Sequence, residues 1–334
     1  MGIRLEPADE YLHRLGPEPN FNESMYFNVY DPAVGVGAFF RVGNRANEGR
    51  AEMTVCVYLP DGRVAFMFRR PPIEGNDAFD AAGLGFEVVT PFEELRVRYE
   101  GDVVLLSDPL AMADPRTAFA GNPHQGCTAE LTYLGRSAMF GGEPDEPHER
   151  PGEEFARGHY EQLVEVRGHI RVADQEWPVA GFGLRDHSWG PRSWQAPWYY
   201  RWLTANFGAD FGFMASRIAR RDDPGTRGGF VWDGGRLVVC DWVGITTGWS
   251  EDGSYHRSLR AELRGRDGRC WAVTGRVLNL IPLRNRRTDA AGAELVTRIS
   301  EGLTEWRLED GRTGYGLSEY LDQMVDGEPV GRAE

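Results

Sequence analysis

Ala51 to Arg69 reads AEMTVCVYLPDGRVAFMFR, and two properties of that stretch decide the fold. Apolar side chains recur at alternate positions, so Met53, Val55, Val57 and Leu59 share one face, answered by Val64, Phe66 and Phe68 beyond Asp61-Gly62. Period-two alternation marks a half-buried strand, and Asp-Gly suits the positive φ angles of a tight hairpin turn. The stretch is therefore predicted to be a β-hairpin.

The same unit recurs at Leu95 to Leu106 around Gly101-Asp102, Tyr160 to Phe182 around Asp174-Gln175, and Phe230 to Val239 around Gly234-Gly235. It returns at Leu259 to Val277 around Asp267-Gly268 and at Leu303 to Tyr320 around Asp310-Gly311. Helical periodicity is confined to short segments such as Pro7 to Leu15 and Pro91 to Leu95. Many short strands with tight turns predict an all-β chain of antiparallel barrels or sandwiches. Phe140 to Gly158 reads as a long exposed loop, Arg221 to Gly229 as a hairpin tip and Pro282 to Gly292 as an arginine-rich loop. A chain of 334 residues exceeds what one core usually fills. The strand pattern stops at Gly190-Pro191 and resumes near Trp202, so domains are expected at residues 1–189 and 190–334.

Thirty-seven basic against 51 acidic side chains leave a net charge of -14, which repels phosphate backbones and anionic membrane surfaces, so nucleic acid is not an expected partner. Every basic residue is Arg; the absence of Lys excludes Schiff-base chemistry and a phosphate-loop lysine. Walker, dinucleotide-glycine, nucleophile-elbow and zincin patterns are missing. The seven histidines show no ligand spacing, and no metal is expected. Cys56, Cys127, Cys240 and Cys270 read as buried free thiols of a reducing compartment. With neither a signal-type apolar segment nor a membrane span, the protein is expected in the cytoplasm.

Five of the ten tryptophans fall between Trp177 and Trp202, around the run GFGLRDHSWGPRSW from Gly181 to Trp194. If Trp177 to Trp189 is extended, Trp177, Val179, His187 and Trp189 share a face, while Phe182, Leu184, Asp186 and Ser188 point the other way. A histidine against an indole and within reach of a carboxylate has the parts of a proton shuttle. On residue types alone it is equally an imidazole satisfied inside a barrel, Asp186 a structural carboxylate paired with Arg192, and the aromatic cluster plain core.

Gly181 to Gly190 resembles the Asp-His-x-Trp-Gly signature of the carotenoid 1,2-hydratase (hydroxyneurosporene synthase) family, whose relatives include AttH-like proteins and fungal Diels-Alderases. Fainter likeness lies in Asn22-Glu23-Ser24-Met25-Tyr26-Phe27 and in Tyr315-Gly316-Leu317-Ser318-Glu319-Tyr320. The resemblance implies two lipocalin-like β-barrels in tandem and acid-base chemistry on a hydrophobic terpenoid, steroid or polyketide-like substrate, with no metal or organic cofactor. It assigns catalysis to His187 and Trp189, with Asp186 and Asp210 as candidate acids; by residue type Asp210 is equally a turn aspartate between two strands. Trp177, Trp194, Trp198, Tyr200, Arg192, Glu23, Tyr26, Glu319 and Tyr320 are the candidate substrate contacts, Glu23 and Glu319 being reserve acids.

The chemistry expected is protonation of a carbon-carbon double bond by a carboxylic acid kept neutral in an apolar setting. Indole faces then stabilise the cation until water, or an internal nucleophile or alkene, captures it. Hydration or elimination, cyclisation, isomerisation, a non-catalytic lipophile carrier and a pocketless interaction protein are the readings the sequence leaves open; it leaves the oligomeric state open too.

Overall fold

The computed structural model describes residues 2–145, 155–289 and 291–333. The chain divides into two compact units, Met1–Asp108 with Arg116–Ser193, and Pro109–Pro115 with Trp194–Glu334.

In the first unit eight strands follow in chain order: β1 (Phe21–Asp31), β2 (Val36–Arg45), β3 (Arg50–Tyr58), β4 (Val64–Arg69), β5 (Glu94–Leu106), β6 (His124–Gly135), β7 (Gly158–Val172) and β8 (Gln175–Pro191). Each pairs antiparallel with the next, and β8 returns to pair with β1, closing an up-and-down barrel. The second unit repeats the plan: β9 (Tyr199–Asn206), β10 (Phe211–Arg220), β11 (Asp223–Asp233), β12 (Arg236–Trp249), β13 (His256–Gly265), β14 (Cys270–Thr288), β15 (Glu294–Leu308) and β16 (Thr313–Val325), with β16 closing onto β9. Closure leaves neither ring a free strand edge, the reason such sheets curl into barrels of this size. Both are lipocalin-like, as the resemblance implies, and antiparallel barrels are one of the two forms that the strand pattern predicts.

Alternation fills both interiors. Phe27, Phe40, Val55 and Tyr133 are buried in the first, and Leu203, Phe213, Val231, Ala261 and Trp306 in the second. The hairpin read from Ala51 to Arg69 forms as β3 and β4, in register from Met53↔Arg69 to Tyr58↔Val64.

Several local readings are corrected. Gly101-Asp102 is no turn: β5 runs through it, paired to Cys127 and Gly126. Glycine is required at 101 because the Tyr99 phenol lies over it, 2.7 Å from where a Cβ would stand. Pro91 to Leu95 is a turn leading into β5, and Pro7–Glu10 a 3-10 turn. Phe140–Pro144 is a strand against the start of β7, so the expected loop is shorter, and its residues 146–154 lie outside the described residues. Pro282 to Thr288 continues β14, with Arg286 and Arg287 exposed on a paired strand and Arg286 3.1 Å from Glu294. The hairpin tip at Arg221 narrows to Arg221-Asp222. Strand β8 passes through Gly190 to Pro191, and the units divide between Ser193 and Trp194. Cys56, Cys127 and Cys240 are buried free thiols, whereas Cys270, at the first position of β14 beside a turn, is exposed. Among the described residues no helix is long and apolar enough to cross a membrane.

Candidate active site

The turn between β7 and β8 is Ala173-Asp174, one residue earlier than predicted, and Ala173 takes φ 55°, a left-handed conformation in which glycine or asparagine is the usual choice. That register sets His187 opposite Tyr160 and Arg185 opposite Gln162; on the other side of β8, Trp189 meets Glu23 of β1. Directly opposite residues share a face, so these side chains converge inside one end of the first barrel. Trp189 lies over Gly158, where a Cβ would stand 2.2 Å from the indole, so glycine is needed there for close approach. The 3-10 turn and the segment after it bring Glu10 and His13 to the same end.

His187 is buried between Glu23, whose Oε1 lies 3.1 Å from Nε2, and Tyr160, whose hydroxyl lies 3.2 Å from Nδ1. The same Glu23 oxygen lies 2.7 Å from His13 Nδ1, the His13 backbone N–H donates to it at 2.9 Å, and Asn76 Nδ2 donates to Oε2 at 2.5 Å. The Tyr160 hydroxyl donates to Glu10 at 2.6 Å, and Glu10 takes a bidentate pair from Arg185 at 2.6 and 2.8 Å. His13 stacks on Trp189, with ring centroids 4.0 Å apart, and alone of these keeps a partly exposed side chain, at 19%. Phe92, whose amide donates to Glu10 at 2.7 Å, sits at φ 65° with its ring edge-on to Tyr160, a strained position at the rim of the cluster.

Burial works to raise the Glu23 pKa, but the hydrogen bonds and charges of His13 and His187 outweigh it and hold the carboxyl at about 2. Burial pushes the Tyr160 phenol well above its usual value, which keeps its proton on. Both His187 ring nitrogens thus have a partner at hydrogen-bond distance, Tyr160 at Nδ1 and Glu23 at Nε2. The reserve acid Glu23 is therefore not the neutral carboxylic acid expected. Glu23 is held as a carboxylate beside His187.

A stability prediction follows. A carboxyl lowered on folding stabilises above its unfolded value near 4.5 and loses that contribution as pH falls toward about 2. Burial alone would lower His13, but bonds and charge from Glu23 and Asp9 raise it above 6.5, so its contribution is present below 6.5 and fades as pH rises through the folded value. Urea unfolding of the wild type should therefore show a stability plateau between about pH 4.5 and 6.5, with on the order of 3 kcal/mol lost on the acid side. Glu23→Gln should remove the acid slope and reduce the alkaline one, to which Asp9 also contributes; an unchanged profile would contradict the network.

The other predicted residues are placed differently. Asp186 faces outward, opposite Tyr26, with Oδ2 4.0 Å from His159 Nε2, because alternation turns it away from His187. Tyr26 packs on Phe39 on that outer face. Arg192 donates to Ser188 Oγ at 2.8 Å and stacks on Phe155. Trp177 lies ten residues back along β8, about 33 Å of extended chain from His187, too far to share its site. Trp194, Trp198, Tyr200, Asp210, Glu319 and Tyr320 belong to the second unit. There Asp210 occupies the exposed β9-β10 turn, Tyr200 donates to Glu319, and Tyr320 bonds Thr247 at 2.6 Å and stacks on His256. Within the first barrel the rings around His187 are those of Trp189, Tyr160, His13 and Phe79. Glu10, His13, Tyr160 and Arg185 were not among the candidates; counting back from the hairpin turn would have pointed to Tyr160.

His13, Glu23 and His187 offer ligand atoms within 4.8 Å of one another, a set able in principle to hold a divalent ion, although no histidine spacing signals it. Their 2.7 and 3.1 Å contacts are hydrogen-bond lengths, so an ion would have to displace the bridging protons. A cavity of about 630 Å³ lies at the β7-β8 turn, lined by Leu59, Leu105, Gln125, Val172 and Asp174, and shares no residue with the His187 cluster.

Two closed eight-stranded barrels in one chain, the first with a buried His-carboxylate-Tyr cluster at one end, define a tandem lipocalin-like protein. The chain belongs to the family described as domain of unknown function DUF7064, whose profile matches residues 6–324. No curated protein matches it in sequence. Among solved structures it is similar to a Nitrosomonas europaea protein provisionally assigned as AttH, at 15% identity and TM-score 0.55, covering 90% of this chain and 92% of that one. It is similar to kievitone hydratase from Nectria haematococca at 10% identity and TM-score 0.56, covering 95% and 93%. CghA bound to Sch210972 aligns at 14% identity and TM-score 0.53, covering 93% and 90%. At these identities the likeness shows the fold, and its members are of the kinds the Asp186 to Gly190 resemblance implies.

Proposed function

We propose that the first barrel is an acid-base enzyme acting on a hydrophobic alkene of terpenoid, steroid or polyketide type. The observation that carries this reading is His187 held between the Glu23 carboxylate and the Tyr160 hydroxyl, both ring nitrogens engaged. In this reading a proton passes from His187 to one alkene carbon, leaving a carbocation on the other. Trp189 and Tyr160 present ring faces and edges near that point, each well-placed face being worth on the order of 0.5–2 kcal/mol to a cation. Water adds to the cation and returns its proton to His187, so that alkene and water become an alcohol; elimination is the same path reversed. Glu23 balances the histidine charge, and His13, on the solvent side of Glu23, connects it to bulk protons. Kievitone hydratase among the structural neighbours supports hydration as the reaction class.

His187 and Glu23 are wholly enclosed, so turnover requires His13 to swing off Trp189 and admit substrate. That enclosure favours a second reading, a carrier whose cluster is structural. Incubation with isoprenoid alkenes in heavy-oxygen water separates them. The enzyme reading predicts oxygen label in an alcohol product. Deuterium uptake from heavy water without oxygen label means isomerisation or cyclisation, and neither label, with the alkene recovered bound, means a carrier.

A further inference from the structure

The cavity of about 630 Å³ lies at the hairpin end of the first barrel, away from the end that holds His187. Its walls combine Leu59, Leu105 and Val172, all buried, with Gln125, Asp174 and Gln175, which reach solvent. Pairing explains why these side chains meet: Ala65 stands opposite both Val57 and Leu105, Val103 opposite Gln125, and Val172 opposite Gln175. They continue the inward-facing rows of β3 to β8. One layer deeper Val57, Ala65, Val103, Cys127 and Ile170 are buried and close the floor. The result is a cup with an apolar base and a polar rim, and Gln175 lies twelve residues of β8, about 40 Å of extended chain, from His187.

The polar groups of the rim are not committed to the fold. In the Asp-Gly-Arg turns at Asp61, Asp267 and Asp310 the carboxylate accepts the backbone N–H two residues on, at 3.0 to 3.1 Å, and pairs with the arginine there. Asp174 does neither: among the described residues its carboxylate has no hydrogen bond and no ion pair, and the side-chain amides of Gln125 and Gln175 are equally free. Arg63, which also reaches the wall, is already held by Asp61 at 2.7 Å. The cup therefore presents one unbalanced negative charge beside two open amides. Ala173, in the same wall, takes φ 55° where glycine would be unstrained, and strain of that kind gathers where a ligand is held.

We propose that the cup binds a small organic amine, its ammonium against the Asp174 carboxylate and the amide oxygens of Gln125 and Gln175, its hydrocarbon body over Leu59, Leu105 and Val172. An ammonium carries three donors and no acceptor, which matches one carboxylate and two amide oxygens. The net charge of -14 draws cations toward the protein and repels anions, so an amine has the advantage over an acid of the same size. A volume of about 630 Å³ suits a ligand of this class. The site needs no chemistry at His187 and stands or falls independently of the first-barrel reaction.

Isothermal titration of the full chain with octylamine, octanol and octanoate at neutral pH, where the amine is charged, tests it. Octylamine is expected to bind about tenfold more tightly than octanol, the worth of one charge-assisted hydrogen bond, and octanoate more weakly than either. Asp174→Asn should bring octylamine down to the affinity of octanol without moving the urea midpoint, because the carboxylate makes no bond within the fold. Gln125→Phe, which fills the cup, should abolish binding, and His187→Gln should leave it unchanged. Octanol or octanoate binding as tightly as octylamine, or an unaltered octylamine affinity in Asp174→Asn, overturns the amine site. Binding retained by folded Gln125→Phe, or lost in His187→Gln, puts the ligand elsewhere and overturns the cup.

Discussion

His187→Gln is expected to lower kcat on the alkene substrate by about 10²–10⁴-fold while leaving KM within a few-fold of wild type. A positioned general acid contributes an acceleration of that order, and glutamine cannot supply a proton to carbon. The amide still fills most of the imidazole volume and can bond both Tyr160 and Glu23, now 3.2 and 3.1 Å from the ring nitrogens, so the barrel end keeps its packing. A loss in kcat/KM carried wholly by kcat would mark an interaction used in the transition state. Circular dichroism matching wild type excludes misfolding as the cause. Persistent turnover in this variant removes His187 from the mechanism.

Arg185→Met is expected to have the largest effect on stability. The guanidinium and Glu10 are both fully buried and joined at 2.6 and 2.8 Å, and Gln162 Oε1 accepts from Nε at 3.0 Å. Removing one partner leaves an uncompensated carboxylate in a dry interior, which costs about 3–5 kcal/mol. In a unit of this size that corresponds to a fall of on the order of 10 °C in the melting temperature. Glu10→Leu combined with Arg185→Met should recover a large part of the loss, because an apolar pair of similar volume avoids the stranded charge. Calorimetry checks both. A single-variant loss below about 1 kcal/mol would mean that water reaches Glu10 and the cluster is less enclosed than described.

The barrel strands were legible because their signals are local. Met53, Val55 and Val57 alternate within nine residues, and Asp61-Gly62, Gly234-Gly235, Asp267-Gly268 and Asp310-Gly311 carry turn chemistry in two adjacent positions. Gly101-Asp102 has the same letters and a different cause, since a glycine needed under the Tyr99 ring is indistinguishable in sequence from one needed for positive φ. Ala173 errs in the opposite direction, adopting φ 55° without a turn residue's side chain. In the site, the alternation that set His187 with Trp189 and turned Asp186 outward could be read along one strand. Glu10 and His13 could not, because they meet Arg185 and Glu23 only through the route the chain takes before β1, and no periodicity encodes that route. Glu23 stood among the candidates through a faint resemblance, and its part came from pairing Trp189 across β1.

The most direct test of the central claim is the nitrogen-15 spectrum of histidine-labelled protein, with the His187 signals assigned by their absence from His187→Gln. Proton donation by a ring held between Tyr160 and Glu23 predicts that both ring-nitrogen signals shift when the alkene that is turned over is added. Ring signals that stay fixed while the alkene is bound would contradict the account.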